Sequence, residues 1–309
     1  MESIKNQTSF SSFVLLGLTN QKELQPILFL IFLIIYSLTL LGNLLIIVLI
    51  WLDYCLHKPM YFFIGNLSFL DLCFSSVTVP KLLAVFMSNK AIQISWCSAQ
   101  LFLFTSLGSA QCLLLSAMAY DRYVAICKPL LYAAIMNSRI CLLLALALWC
   151  VAFINGLVQT NYTFQLSFCS ETINHFLCEI PPLLSVACTS TFMNELLLFS
   201  LIGLISVGSL LLIIVSYIHI ASAIMRISSI QGRRKTFSTC ASHLTLVTLM
   251  YGSAFFVYMK PSPSDARKKD TSVSVLYTVV TPMLNPIIYS WRNTEVLTAF
   301  RKTFLRKSF

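Results

Sequence analysis

The sequence predicts an all-α membrane protein, in which a bundle of seven transmembrane helices is followed by a short amphipathic helix. Only 10% of the 309 residues are charged and the mean hydropathy is +0.83, values that do not fit a soluble globule. A helix needs roughly 20 apolar residues to cross about 30 Å of hydrocarbon. Seven stretches have that length and character, namely 24–52, 59–80, 91–120, 140–170, 196–225, 236–259 and 271–291.

Seven spans place the two termini on opposite faces of the membrane. Lys and Arg concentrate on the face that carries the carboxyl terminus, where Asp53, Asp121 and Glu295 are the only acids. Because cytosolic loops carry the excess of basic residues, the amino terminus is expected outside the plasma membrane. The chain then divides into an extracellular segment 1–25, a transmembrane domain 26–291 and a cytoplasmic tail 292–309. In that tail, Phe300 and Leu305 among basic residues indicate a helix on the inner leaflet.

The net charge of +10 could also indicate a nucleic-acid binder. The basic residues lie in short loops between spans, however, which disfavours that class.

Four of the eleven cysteines, Cys97, Cys169, Cys178 and Cys188, fall in the outer loops, where disulfides persist. Four cysteines allow three pairings, and the sequence alone leaves the choice open. Their spacings do not fit a metal site. Asn6, in Asn6-Gln7-Thr8, is an expected glycosylation site on the outer side.

Polar residues inside predicted spans are candidate functional sites, because burying an ionisable group at mid-bilayer costs about 2.5–3.5 kcal/mol. Asp71 is the clearest case, and Asn43 and Asn285 lie at comparable depths. The three could form one polar cluster that holds water or a cation, or Asp71 could serve only as structural glue. Pro282 and Pro286 each remove a backbone donor, so the seventh span is expected to bend there, either as a hinge or as a fixed kink.

Several motifs run along the whole chain: Leu41-Gly42-Asn43, PMYFF (59–63), LSFLDLC (67–73), MAYDRYVAIC (118–127), KTFSTCASH (235–243) and PMLNPIIY (282–289). Together they resemble the signatures of olfactory receptors, a branch of the rhodopsin-like G-protein-coupled receptors.

This resemblance implies a mechanism for the charged pair Asp121-Arg122. In the family the pair lies at the cytosolic end of the third helix and helps to hold the inactive state until agonist moves the sixth helix outward. An odorant would act by binding the active arrangement more tightly. The activation and coupling residues implied are Asp121, Arg122, Tyr123, Tyr217, Asn285, Pro286 and Tyr289.

The resemblance also implies that Cys97 pairs with a cysteine of the long second outer loop. We expect Cys97–Cys178 with Cys169–Cys188, while Cys97–Cys188 stays open. Gln111 stands where many relatives have glutamate, so a sodium site beside Asp71 should be weaker than in those relatives.

The implied ligand is a small volatile, mostly apolar molecule inside the bundle. The third span has no acid between Ala91 and Tyr120 to meet an amine, and the seventh has no lysine for a retinal Schiff base. No cofactor is expected, and the implied partner is a stimulatory olfactory-type G protein that raises cyclic AMP. Homologous placement gives the lining residues Phe104, Thr105, Gly108, Ser109, Ile202, Ile205, Tyr251 (in place of the family's aromatic switch), Ala254, Phe255, Tyr258 and Thr278.

Other functions fit the sequence less well. A non-olfactory small-molecule receptor of the same fold is the first alternative. A transporter or channel would usually show internal repeats or several charges at mid-membrane. An intramembrane aspartyl protease would need Asp71 and Asp121 to meet as a dyad, yet Asp71 lies mid-span and Asp121 lies at a helix end. The chain is therefore expected not to be an enzyme.

Overall fold

The computed structural model describes residues 10–19, 21–258, 274–292 and 294–305. Within these residues, seven long helices follow one another along the chain and pack as a bundle. Their bounds are Gln25–Leu52, Pro59–Phe86, Ile94–Cys127, Ser138–Phe164, Phe192–Met225, Ile230–Tyr258 and, for the seventh, Leu276–Val280 with Thr281–Arg292. The tail helix, Thr294–Phe300 with the π-turn Arg301–Leu305, ends the described chain.

The first five helices are each long and apolar enough to cross a bilayer. Their exposed faces carry large apolar side chains, such as Leu41 in the first helix and Leu204 in the fifth. Such faces suit lipid rather than water. The tail helix buries Val296 and Ala299 against the bundle, so the predicted helix after the seventh span is present.

The predicted span bounds were wrong at several ends. Residues 91–93 form a strand instead of the start of the third helix, and residues 165–170 lie beyond the fourth helix. The second helix runs on to Phe86 and the third to Cys127, past the apolar limits at 80 and 120. A helix makes its backbone hydrogen bonds within itself, so it can extend past the charged residue that ends an apolar stretch.

Two glycines allow neighbouring helices to approach closely. A Cβ on Gly42 of the first helix would lie 3.2 Å from Cβ of Pro286 in the seventh. One on Gly156 of the fourth helix would lie 2.9 Å from the carbonyl oxygen of Phe102 in the third. Small residues at such crossings are how transmembrane helices gain packing contact.

A small sheet covers one end of the bundle, which we call the disulfide end. Strand β1 (Ser12–Leu15) pairs antiparallel with β2 (Ala91–Gln93) and parallel with β3 (Thr172–Ile173). Phe13 and Leu15 of β1 are fully buried. The segment ahead of the first helix is therefore part of the packed structure.

Two disulfides hold the long loop between the fourth and fifth helices, one to the third helix and one within the loop. Cys97 pairs with Cys178 and Cys169 with Cys188, which confirms the expected connectivity. Between them, Phe176 and Leu177 are fully buried among apolar side chains of the first, second and seventh helices. The loop thus closes this end of the bundle.

Gly17 turns the chain after β1 and is expected to be intolerant of substitution. Its φ is +81°, and a Cβ there would lie 2.7 Å from Cγ1 of Val85. Since a left-handed conformation costs an L-residue roughly 1–2 kcal/mol before any clash, Gly17→Ala should lower the thermal unfolding temperature of the purified protein. The measurement can use a thiol-reactive dye, because Cys112, Cys141 and Cys240 are buried until unfolding.

Gly203→Ala is the matched control, because a Cβ at Gly203 of the fifth helix meets no atom of the described residues within 4 Å. It should leave stability unchanged or raise it by up to about 1 kcal/mol through helix propensity. Equal effects of the two substitutions would contradict this account of Gly17.

Candidate functional site

The functional candidates form three groups along the bundle. One lies at its polar centre, one beneath the loop at the disulfide end, and one at the opposite end, which we call the Arg122 end.

At the polar centre, the Asp71 carboxyl group joins three helices. The Gln111 side-chain amide donates to Oδ1 of Asp71 at 2.9 Å, and the Asn285 amide donates to Oδ2 at 2.7 Å. Asp71 is fully buried. The predicted cluster therefore includes Gln111 and Asn285, and both carboxyl oxygens face N–H donors.

Asn43 has a different partner from the one expected. Its amide nitrogen donates to the carbonyl oxygens of Thr39 (2.9 Å) and Pro282 (3.1 Å). Pro286 lacks the N–H that would otherwise bond to the carbonyl four residues earlier, that of Pro282. Asn43 thus satisfies an acceptor that the proline leaves free, as a spanning helix requires.

At the Arg122 end, Asp121 and Arg122 each contact a separate neighbour. The Tyr132 hydroxyl, in the short helix Tyr132–Ile135 after the third helix, donates to Oδ1 of Asp121 at 2.8 Å. Burial and the neighbouring Asp121 carboxyl raise the pKa of Tyr132, so the phenol keeps its proton and remains a donor. Arg122 points Nη2 at the sulfur of Met60, in the first turn of the second helix.

His243 of the sixth helix connects to the third and fifth helices. Its Nε2 lies 3.0 Å from the carbonyl oxygen of Leu115, and its Nδ1 lies 2.9 Å from the hydroxyl of Tyr217. A carbonyl can only accept, so Nε2 carries the proton and Tyr217 donates to Nδ1. The rings of Tyr217 and His243 also stack, with centroids 5.7 Å apart.

Two more predicted activation residues lie near this connection. The Tyr289 hydroxyl is 3.9 Å from the sulfur of Met118, and the residue is buried. Tyr123 packs its ring 5.6 Å from His219, with Lys128 Nζ 5.7 Å from the ring centroid. Both tyrosines therefore help join the third helix to its neighbours at the Arg122 end.

The tail helix is fixed to the same end by polar contacts. Glu295 accepts from Lys58 at 2.7 Å and from the Tyr61 hydroxyl at 3.0 Å. Asp53, whose pKa is lowered by a hydrogen bond from the backbone N–H of Cys55, lies 3.7 Å from Lys302.

Toward the disulfide end, the predicted lining residues of the third helix present hydroxyls and aromatic rings. Ser109 accepts from the amide of Asn155 at 2.8 Å and donates to the Thr105 carbonyl at 2.8 Å. The ring of Phe104 packs against that of Phe74, with centroids 5.1 Å apart and planes inclined by 31°. Gly108 faces Phe74, which would lie 4.0 Å from an added Cβ.

The other predicted lining residues come from the fifth to seventh helices. Ile202 ends the π-turn Leu198–Ile202, and Ile205 follows it, both half-buried. Tyr251 is half-buried, and its hydroxyl has no hydrogen-bond partner among the described residues. Thr278 is fully buried and donates to the Ser274 carbonyl at 2.6 Å. The side chains of Ala254, Phe255 and Tyr258 lie outside the described part of the structure, as does Asn6.

Sequence reasoning missed a polar contact between the long loop and the seventh helix. The Tyr277 hydroxyl donates to Oε1 of Glu179 at 2.7 Å, and Nε2 of His175 lies 3.9 Å from the other carboxyl oxygen. Both loop residues are buried. The i,i+4 spacing of His175 and Glu179 was the available signal, although nothing in the sequence indicates Tyr277 as their partner.

Comparison with known proteins agrees with these features. The olfactory receptor family model matches residues 32–307. The chain is 49% identical to human olfactory receptor 5G3 over 307 residues, covering 99% of this chain and 98% of that protein. It is 47% identical to mouse olfactory receptor 5AR1 over 305 residues, covering 98% of each. The crystal structure of squid rhodopsin matches with a TM-score of 0.65 at 18% identity, over 92% of this chain and 86% of that one.

The fold, the two disulfides and the full-length matches thus agree, and the chain belongs to the olfactory receptor family, multi-pass membrane proteins that are G-protein-coupled receptors and not enzymes.

Proposed function

We propose that this receptor binds a small volatile, mostly apolar odorant within the helix bundle and activates a stimulatory olfactory-type heterotrimeric G protein, which raises cyclic AMP. The amino terminus is outside the plasma membrane and the carboxyl terminus is in the cytosol. Segment 1–25 is then extracellular, 26–291 is the receptor domain and 292–309 is the cytoplasmic tail.

The ligand proposal rests on the burial of part of the long loop between the fourth and fifth helices. Phe176 and Leu177 of the long loop are fully buried among the helices at the disulfide end, so a ligand that enters from this end meets apolar side chains. The Glu179 carboxyl group at this end is occupied by Tyr277. The described lining residues provide aromatic rings and the hydroxyls of Thr105, Ser109, Tyr251 and Thr278. Such a site favours a small neutral molecule held by dispersion and one or two hydrogen bonds.

The contacts at the Arg122 end support the coupling proposal. His243 holds the sixth helix to Leu115 and Tyr217, and Tyr132 occupies the carboxyl group of Asp121. We interpret this arrangement as the resting state. Odorant binding would favour the alternative in which the sixth helix leaves the third and Arg122 becomes available to the G protein. The ligand can shift this equilibrium only by its difference in affinity for the two states.

His243→Phe is expected to raise signalling in the absence of odorant. Phenylalanine keeps the ring but removes both hydrogen bonds. Loss of about 2 kcal/mol from the resting state would shift the equilibrium roughly 30-fold toward the active state. Basal cyclic AMP, measured at matched surface level, should therefore rise severalfold.

Thr245→Val is the control for His243→Phe, because Thr245 is exposed on the same helix and its hydroxyl donates to the Ala241 carbonyl within that helix. It should leave basal cyclic AMP unchanged. If His243→Phe also leaves the basal level unchanged while reaching the surface normally, the contacts of His243 do not restrain the sixth helix.

The proposed function is tested by measuring cyclic AMP in cells that express the intact chain during exposure to a panel of volatiles. Parallel cells lacking stimulatory G proteins provide the coupling control. A concentration-dependent response that disappears in those cells supports the proposal. A response that persists without stimulatory G proteins contradicts the coupling, and one confined to non-volatile ligands would favour a non-olfactory receptor of the same fold.

A further inference from the structure

A groove with a volume of about 460 Å³ lies between the third and fourth helices, near the disulfide end. Its walls come from the i, i+3, i+4, i+7 faces of the two helices, including Phe102 on the third and Leu157 and Phe164 on the fourth. Its size falls within the range of about 300–1,000 Å³ that is usual for small-molecule sites. The expected odorant residues Thr105 and Ser109 do not line it.

The groove opens onto the surface that faces lipid. Leu157, on its wall, is 62% exposed, and Ile154, one turn away on the fourth helix, is equally exposed. Trp96, beside the groove at the start of the third helix, is 68% exposed, as befits an aromatic ring at the membrane interface. The groove therefore begins at the interface and extends into the hydrocarbon of one leaflet.

The polar side chains of the groove are grouped at its outer end and are neutral. Ser95, Ser98, Asn161 and Gln165 line this end, and every other lining residue is also uncharged. Anionic headgroups are usually bound by Lys or Arg. Hydroxyl and amide groups suit a ligand with a neutral hydroxyl. Thr160 adds a buried hydroxyl that has no hydrogen-bond partner among the described residues.

Below the polar end, Phe102 and Leu157 give the groove an apolar wall. Phe102 stacks on Phe153 with ring centroids 6.0 Å apart and planes inclined by 28°. From Ser95 to Phe102 the third helix rises by roughly 10 Å, and Phe153 lies one turn deeper than Leu157 on the fourth helix. A rigid apolar ring system suits such a wall and loses little conformational entropy when bound.

We propose that this groove binds a membrane sterol, with the sterol hydroxyl among Ser95, Ser98 and Asn161 and the ring system along Phe102 and Leu157. None of the predicted odorant-lining residues that the structure describes lines this groove.

The test uses the full-length receptor in neutral phosphatidylcholine nanodiscs that contain a cholesterol analogue with a photoreactive diazirine on its rings. After irradiation, the labelled peptides are identified by mass spectrometry. Label is expected on the outer ends of the third and fourth helices, and excess cholesterol should displace it. Leu157→Trp, which fills the groove, should weaken labelling about tenfold, the equivalent of about 1.4 kcal/mol.

Leu204→Trp is the matched control, since Leu204 is equally apolar and is 73% exposed on the fifth helix, away from the groove. It should label like the unsubstituted receptor. Ser98→Ala adds no bulk and should also weaken labelling. It tests the proposal if Leu157→Trp fails to fold. The proposal is overturned if both groove variants label normally, if the label lies on other helices, or if a photoreactive phosphatidylcholine labels the groove and cholesterol does not displace it.

Discussion

Removing the Cys97–Cys178 disulfide by the paired substitution Cys97→Ala and Cys178→Ala is expected to destabilise the receptor by about 4.5 kcal/mol. The estimate follows from the 81-residue separation of the two cysteines, since a longer closed loop restricts the unfolded chain more. The bond also holds the loop against the third helix, where the backbone N–H of Cys178 donates to the Gln100 side chain at 3.0 Å. Thermal unfolding of the purified protein and its level at the cell surface should both fall sharply.

The second disulfide provides a matched comparison. Cys169 and Cys188 are only 19 residues apart, so Cys169→Ala with Cys188→Ala should cost about 3 kcal/mol. Replacing both partners in each case leaves no new free thiol. If removing Cys169–Cys188 lowers stability more than removing Cys97–Cys178, restriction of the unfolded chain does not explain the contribution of the Cys97–Cys178 bond.

Asp71→Leu is expected to destabilise the polar centre strongly. The substitution leaves the amide groups of Gln111 and Asn285 without the oxygens that now accept from them. Each unsatisfied buried donor costs about 1–3 kcal/mol. Asp71→Asn keeps one oxygen acceptor and should have a smaller effect. The measurement is again thermal unfolding of the purified receptor.

A double substitution tests the reason for this loss. Adding Gln111→Leu to Asp71→Leu removes one of the two amide donors that have lost their acceptor. The double variant should therefore be no less stable than Asp71→Leu alone. Gln111→Leu in the presence of Asp71 should still be destabilising, since it takes a donor from the carboxyl group. Additive losses in the double variant would mean that the two residues act independently.

The parts of the fold that the sequence could predict are those that the bilayer itself imposes. Backbone groups in hydrocarbon must bond within a helix, so long apolar runs become helices. Few polar side chains lie within the membrane, and they form hydrogen bonds with one another, as Asp71 and Asn285 do. Gln111 was recognised from the family pattern, and the structure gives its physical role as a donor to Asp71.

The features that escaped prediction depend on residues far apart in the chain. Strand β1 has only four residues, and it exists because residues 91–93 and 172–173 pair with it. Nothing in the local sequence indicates that Tyr132 would bond to Asp121, or Met60 contact Arg122. These contacts follow from the rotation and tilt of packed helices, which apolar patterning does not determine.

The same limit applies to the odorant site. The hydroxyls of Ser109 and Thr278 donate to backbone carbonyls of their own helices, and Ser109 also accepts from Asn155. A residue on the inward face of a helix serves packing and ligand contact equally well. The set of lining residues therefore stays a prediction, which a known odorant would test through Ser109→Ala and Tyr251→Phe.

The measurement that tests the central claim most directly is odorant-evoked cyclic AMP in cells expressing Arg122→Ala at the same surface level as the intact receptor. Arg139→Ala is the control, because Arg139 is exposed at the start of the fourth helix on the same face. We expect the response to disappear in Arg122→Ala and to persist in Arg139→Ala. An undiminished response in Arg122→Ala would contradict the role assigned to the Arg122 end of the bundle.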